Sequence, residues 1–362
     1  TPMRSSAASD VYKRQFGRSF YVLDDYSALR DLDSELMKKD GYIFKPRKAL
    51  QYNQIYGGTS SDGGQTYYAK NPAYGANIKF YVKDAPKSLK QKRKKTEKEN
   101  MSFVGWDALD NEMSEQKNQS ILVIKNKNGD VISKISNPLK KGITNVNWSL
   151  SSSIPTTVKS GSKSRYSSGV YTQVKEGKYD LFLYTRINGV VSEVAGPVEL
   201  EVEKIRRGTL QNPLSDQHDS YYKKLAEAFT KVELLEHKIE KASDRVDTYQ
   251  SVLMRLKNDI SKSSKLVFDL VEMKNKLERK IGGSESKKEV GEKDNLTIYD
   301  RLWSARGGWY PNSYGPTALH MRSYDIAKKM PDRLEPEISN YLSKVDEVGK
   351  ILEEAGAPIV LD

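Results

Sequence analysis

The chain has no cysteine among its 362 residues. That excludes disulfides, a thiolate nucleophile and cysteine-ligated zinc, and leaves the redox compartment open. Histidine is nearly as scarce. His218, His237 and His320 are the three present, and no two stand at a metal-ligand spacing such as i, i+4, so neither a metal site nor a cofactor is predicted. No window approaches the ~18 uninterrupted apolar residues of a membrane span. Nucleophile elbows of the G-x-S-x-G type and dinucleotide fingerprints are missing too, and GGSESKKE at 282–289 lacks the preceding strand that a phosphate loop requires. The carboxylates of the C-terminal part alternate with Lys and Arg, the pattern of a solvated face and not of a glycosidase pair.

What remains is a chain long enough for two or three domains, with 37% hydrophobic and 30% charged residues. Much of the net charge of +12 is local to KSLKQKRKKTEK at 87–98, while the C-terminal part mixes signs. That run has no aromatic residue to stack on a base, so it reads as a solvated insertion between strands. Nucleic-acid binding through Lys92, Arg93, Lys94 and Lys95 is the weaker rival.

Residues 1–15, TPMRSSAASDVYKRQ, show neither helical nor strand periodicity and no signal-peptide h-region. DVYKRQ resembles the translated end of a sequencing adapter, and the segment is expected to be non-native and unable to partner the strand after it. Residues 16–26 read as that short strand, with Phe20 and Val22 alternating against Tyr21 and Leu23, closed at Asp24 and Asp25 by a turn. In the polar loop 51–70, Ser60, Asp62, Gly64 and Thr66 fit S-x-D-x-G-x-T, the structural Asp-box of sialidase-type propellers; a chance match in a polar loop fits equally.

A set of alternating strands begins at 71–84, NPAYGANIKFYVKD, with Ile78, Phe80 and Val82 on one face. Asn128-Gly129 and Asn188-Gly189 mark hairpin turns. Val146, Trp148 and Leu150, then Tyr179, Leu181 and Leu183, then Val198, Leu200 and Val202 alternate in further strands. This predicts an immunoglobulin-like β-sandwich over 71–204, with Trp148 in its core. From residue 215 the period lengthens. Leu235, Ile239, Ala242, Val246, Tyr249, Leu253, Leu256 and Ile260 make one stripe of a helix of about 40 residues. Leu266, Leu270, Met273 and Leu277 supply a second, and Leu334, Ile338, Tyr341, Val345, Val348, Leu352 and Ala355 a third. A helical bundle is expected over 215–355, interrupted by a flexible linker at 282–295. Thr297 and Asp300 open a short helix ending at Gly307-Gly308, Pro331 stops another, and Gly356 and Pro358 end the last. Between them, Trp309, Tyr310 and Tyr314 are the candidate ligand surface; the competing reading is a loop that pins helices together.

GRSFYVLDDYSALR, NPAYGANIKFYVKD, NGDVI, KKGITNVNWSL, GKYDLFLY, DRLWSARGG, YGPTALHMRSYDIA and EEAGAP together resemble the C-terminal part of bacterial BNR-repeat β-propeller proteins, of the sortilin-like or glycosyl hydrolase kind. The resemblance covers nearly everything after Phe16. It implies that residues 16–70 are the end of a propeller with a connecting loop, that the propeller itself lies upstream, and that the parent is secreted, periplasmic or at the cell surface. It implies no catalytic residue in this chain. The expected role is that of an accessory, binding or docking region whose partners are the upstream propeller and a glycan or protein ligand; the alternative is part of a carbohydrate hydrolase whose active site lies on the propeller.

Overall fold

The computed structural model of the chain describes residues 11–14, 20–23, 25–52, 73–100, 103–155, 169–206, 217–256, 261–307 and 315–357. It is a mixed β and α protein in two compact units, residues 1–152 with 174–209, and residues 153–173 with 210–362.

The first unit opens with β1 (Val11–Arg14), β2 (Phe20–Leu23) and α1 (Ser27–Arg30), and continues through β3 (Gly41–Ile43), β4 (Ala49–Gln51) and β5 (Ala76–Val82). Two helices, α2 (Leu89–Asn100) and α3 (Trp106–Ser114), precede β6 (Gln119–Asn126), β7 (Val131–Pro138) and β8 (Gly142–Trp148). β10 (Gly169–Gln173) and most of β9 (Ser151–Pro155), which pair with each other, belong to the second unit, and the first resumes with β11 (Gly177–Ile187) and β12 (Val190–Lys204). One sheet has the order β4-β12-β11-β6-β7 and a second the order β3-β5-β8. Side chains from both sheets join in one core, in which Ile78, Leu122, Leu150, Leu181, Leu183 and Leu200 are fully buried. The alternation seen in the sequence is this burial: Ile78, Phe80 and Val82 enter the core, while Tyr81 points the other way into a small cluster with Ala28, Leu36 and Phe44. Trp148 is 2% exposed, donates its indole N–H to the carbonyl of Ser151 at 3.0 Å and meets Tyr179 edge-on. The Asn188-Gly189 hairpin turns as its residues suggest, with φ of 51° and 83°, the left-handed pair that a two-residue loop between twisted strands needs.

Two expectations change here. Residues 11–14 do form a strand, antiparallel to Phe20–Leu23 with Val11 opposite Leu23; Val11 and Tyr12 have the strand propensity, and a hairpin needs no long periodic run. The sheets also begin before residue 71, because β3 pairs antiparallel with β5 and β4 parallel with β12. Strands of three residues are too short to show alternation. Asp25 makes a turn as expected, accepting from the backbone and hydroxyl of Ser27; Asp24 lies outside the described residues.

The second unit holds α4 (His218–Leu253), α5 (Ser261–Gly282), α6 (Glu285–Glu289), α7 (Ile298–Arg306), α8 (Ala318–Ala327) and α9 (Met330–Glu354). Helices α4, α5 and α9 pack on one another around a core in which Leu235, Ile239, Val246, Tyr249, Ile338, Tyr341, Val345 and Leu352 are buried. The long helix ends at Leu253, short of the stripe's expected end, since Leu256 follows its C-cap and 257–260 lie outside the described residues. On α5 the buried seam is Val267, Leu270, Leu277 and Ile281, not the predicted start at Leu266, which is 36% exposed; the i, i+3 and i+4 options of a mixed apolar stretch let the neighbour take the inward place. The charged stretch 282–295 is not the plain linker expected. Ser284 caps α6, and Asp294 accepts from the Ser284 backbone and the Lys287 ammonium, closing the loop on itself. Pro331 sits in the first turn of α9, where its missing N–H costs nothing, and α8 ends just before it. The chain leaves α9 through Gly356 at φ 83°, with Ala357 N–H bonded to Leu352 C=O and Gly356 N–H to Glu353 C=O, a Schellman motif.

Candidate functional site

The sequence candidates Trp309, Tyr310 and Tyr314 lie outside the described residues, as do Ser60, Asp62, Gly64 and Thr66 of the Asp-box-like loop. What the structure does describe is the residues on either side of 308–314. Before them stands the C-terminus of α7, whose last carbonyls have no partner within the helix. Two tyrosines of the first turn of α4 supply them: Tyr221 Oη donates to Ala305 C=O at 2.8 Å, and Tyr222 Oη to Arg306 C=O at 3.2 Å. Both rings are buried, Tyr221 stands edge-on to Tyr222 and to Tyr324 of α8, and His218 lies against Tyr222 at 4.8 Å between centroids. Ser304 and Ser323 join α7 to α8 by a hydroxyl pair at 3.1 Å. On the other side, Thr317 caps α8 through a reciprocal bond with His320. Burial pushes the Tyr221 and Tyr324 phenols up and the His320 imidazole down, so all three are neutral at physiological pH.

The chemically active group on this collar is Arg306. Its guanidinium stacks over the Trp303 ring at 5.0 Å, is half-buried, and forms no ion pair among the described residues. Burial lowers its pKa, the nearby hydroxyls of Tyr222 and Tyr171 oppose that, and it stays a cation. A fork-shaped cation held on an aromatic face binds carboxylate or phosphate oxygens in pairs. Sequence reasoning passed over Arg306 because a lone Arg near a helix end reads as a favourable charge against the helix dipole. The clue available was its place one residue before Gly307, at the mouth of an aromatic loop.

The basic run 87–98 forms α2 with its N-terminal flank, inserted between β5 and β6 as the charge pattern suggested. Two of the four cations that a nucleic acid would need are already engaged. Arg93 bonds Glu112 of α3 and Glu97, which holds the Glu112 carboxyl below its usual range, and Lys95 pairs with Glu99. Glu115 completes the hairpin by accepting from the Leu89 N–H. Beside these pairs Phe103, Trp106 and Met113 are exposed, which the sequence reading did not anticipate. Among the described residues no cluster of three or more His, Cys, Asp or Glu could hold a metal, and no helix is long and apolar enough to cross a membrane.

No protein-family model, no curated protein and no solved structure matches the chain.

Proposed function

We propose that the chain is a non-catalytic binding or docking region of a larger BNR-repeat propeller protein, acting in glycan or protein recognition. The observation that carries this reading is Arg306, a cation stacked on Trp303 without a carboxylate partner among the described residues, at the root of a loop whose sequence offers Trp309, Tyr310 and Tyr314. Aromatic faces beside an unpaired guanidinium suit a ligand that combines an apolar ring face with a carboxylate: an acidic sugar, or an aspartate or glutamate on a protein surface. The tyrosine bonds to the end of α7 make the root of that loop rigid, which lowers the ordering cost of binding.

Within the same proposal the two-sheet unit is an immunoglobulin-like sandwich and the helical unit a bundle. The shared core between two largely antiparallel sheets and the inward Trp148 support the first, and the mutual packing of α4, α5 and α9 supports the second. Strand β2, within residues 16–26, is the remnant of the last strand of an upstream propeller in a secreted, periplasmic or cell-surface parent.

The test is a titration of the full chain with neutral oligosaccharides, with uronic-acid oligosaccharides and with a glutamate-bearing peptide, following tryptophan fluorescence and product formation together. Binding of a carboxylate-bearing ligand without turnover, lost in Arg306→Met and partly kept in Arg306→Lys, is the expected result. Hydrolysis of any sugar, or binding that Arg306→Met leaves unchanged, would overturn the proposal.

A further inference from the structure

A second surface of the helical unit has its own logic, independent of the loop at Arg306. Along α8 and α9 the residues lining a groove of about 750 Å³ recur every three and four positions from Ala318 to Arg333. The stripe therefore continues across the turn at Lys328 and Lys329 as one helical face. Its apolar part is Met321, Ile326 and Met330. Met321 and Met330 rest on the core of the unit, whereas Ile326 is 36% exposed. Through Met330 and Arg333 the groove runs on into a recess of about 450 Å³ beside the start of α7.

The charge of this groove is one-sided. Arg322, Lys329 and Arg333 line the first part and Arg279 the second, and none of the four has an ion-pair partner among the described residues. The two carboxylates present are already taken, Asp325 by Lys328 and Asp294 by Lys287. Elsewhere on the helices of this unit cations are paired across elements, as in Lys231 with Asp332 and Arg245 with Asp346, and Lys280, which also lines the second part, is held by Glu337. Unpaired cations gathered around an apolar floor are what is left when the complementary charge comes from another molecule.

We propose that this groove docks an acidic amphipathic helix of a partner protein. Fifteen residue steps at 1.5 Å span at most about 22 Å, the length of a four-turn helix, and apolar anchors at i, i+3 or i+4, and i+7 would lie along Met321, Ile326 and Met330 with acidic flanks against the four cations. An anionic bilayer is the less suitable occupant. A flat surface reaches rim cations but not a recessed floor.

The experiment uses the full chain and a fluorescently labelled designed helix with leucines along one face and glutamates beside them, measured by anisotropy. Saturable binding is expected, weakened about tenfold or more by Arg322→Glu with Arg333→Glu. A probe with lysine in place of glutamate should bind that doubly reversed variant better than the wild type. Circular dichroism checks the fold, and Arg322→Gln with Arg333→Gln serves if charge reversal disturbs it. Absence of saturable binding would overturn the proposal, as would binding indifferent to these substitutions. Phosphatidylserine vesicles run in parallel: sedimentation lost in the same variant while the acidic helix fails to bind would assign the groove to a membrane instead.

Discussion

Gly349 tests the packing of the helical unit with a predicted sign. It lies toward the C-terminal end of α9, inside the helix, and is buried against Tyr249 of α4, whose ring is 0% exposed. A Cβ added there would stand 3.1 Å from Tyr249 Cζ and well inside van der Waals contact with its hydroxyl oxygen. The ring cannot swing aside freely, because its hydroxyl donates to Val345 C=O at 3.1 Å and accepts from Arg245 at 3.0 Å. Elsewhere in a helix, Gly→Ala stabilises by about 1 kcal/mol. Here overpacking costs about 1–3 kcal/mol, and displacing the ring weakens two hydrogen bonds of about 1 kcal/mol each. Gly349→Ala should therefore destabilise by about 1–3 kcal/mol net. Removing the hydroxyl in Tyr249→Phe relieves most of the clash, so in that background Gly349→Ala should cost about 1–2 kcal/mol less, a coupling that a double-mutant cycle isolates. Equilibrium urea unfolding followed by helical ellipticity gives all four stabilities. If Gly349→Ala alone stabilises the protein as an unhindered helical substitution does, the close approach of α9 to α4 is refuted.

Tyr341 is fully buried in the same core with a hydroxyl that has no hydrogen-bond partner among the described residues, and burial pushes its pKa up to about 12. Tyr341→Phe should leave stability unchanged or raise it by about 1 kcal/mol in the same unfolding assay, and a loss of that size would mean that the hydroxyl is satisfied. Burial raises the Asp25 carboxyl, but hydrogen bonds from Lys79, at 2.5 Å, and from Ser27 outweigh it and hold the pKa at about 2, below the ordinary 3.8. The stability this group contributes, about 1–2 kcal/mol after solvent screening, is thus present above about pH 4 and lost as pH falls toward 2. Asp25→Asn should flatten that part of the stability–pH curve, and an unchanged curve would count against the pair. Thr297→Ala removes the capping box of α7, in which Thr297 accepts from Asp300 N–H and Asp300 from Thr297 N–H. It should cost about 1 kcal/mol, with faster amide exchange in the first turn of α7 as the specific sign.

The sequence by itself determined the features that depend on neighbours along the chain. The capping of α7 by Thr297 and Asp300, its end at Gly307, the Schellman exit at Gly356 and the left-handed turn at Asn188-Gly189 were legible because a few adjacent residues decide them. So were the long stripes: the burial of Ile78, Phe80 and Val82, and of Ile338, Tyr341, Val345 and Leu352, follows from period alone. Only the tertiary structure decided what depends on a distant partner. The strands β3 and β4 exist because β5 and β12 offer edges to them, and three residues hold no periodic signal of their own. Val267 turned inward in place of Leu266 because the faces of α4 and α9 set the rotation of α5, and both side chains are apolar enough for either place. The same holds for the candidate sites. Arg306 and Arg333 look like any surface arginine in the sequence, and their meaning comes from whether a carboxylate stands within reach, a fact of three-dimensional neighbourhood that no local pattern encodes.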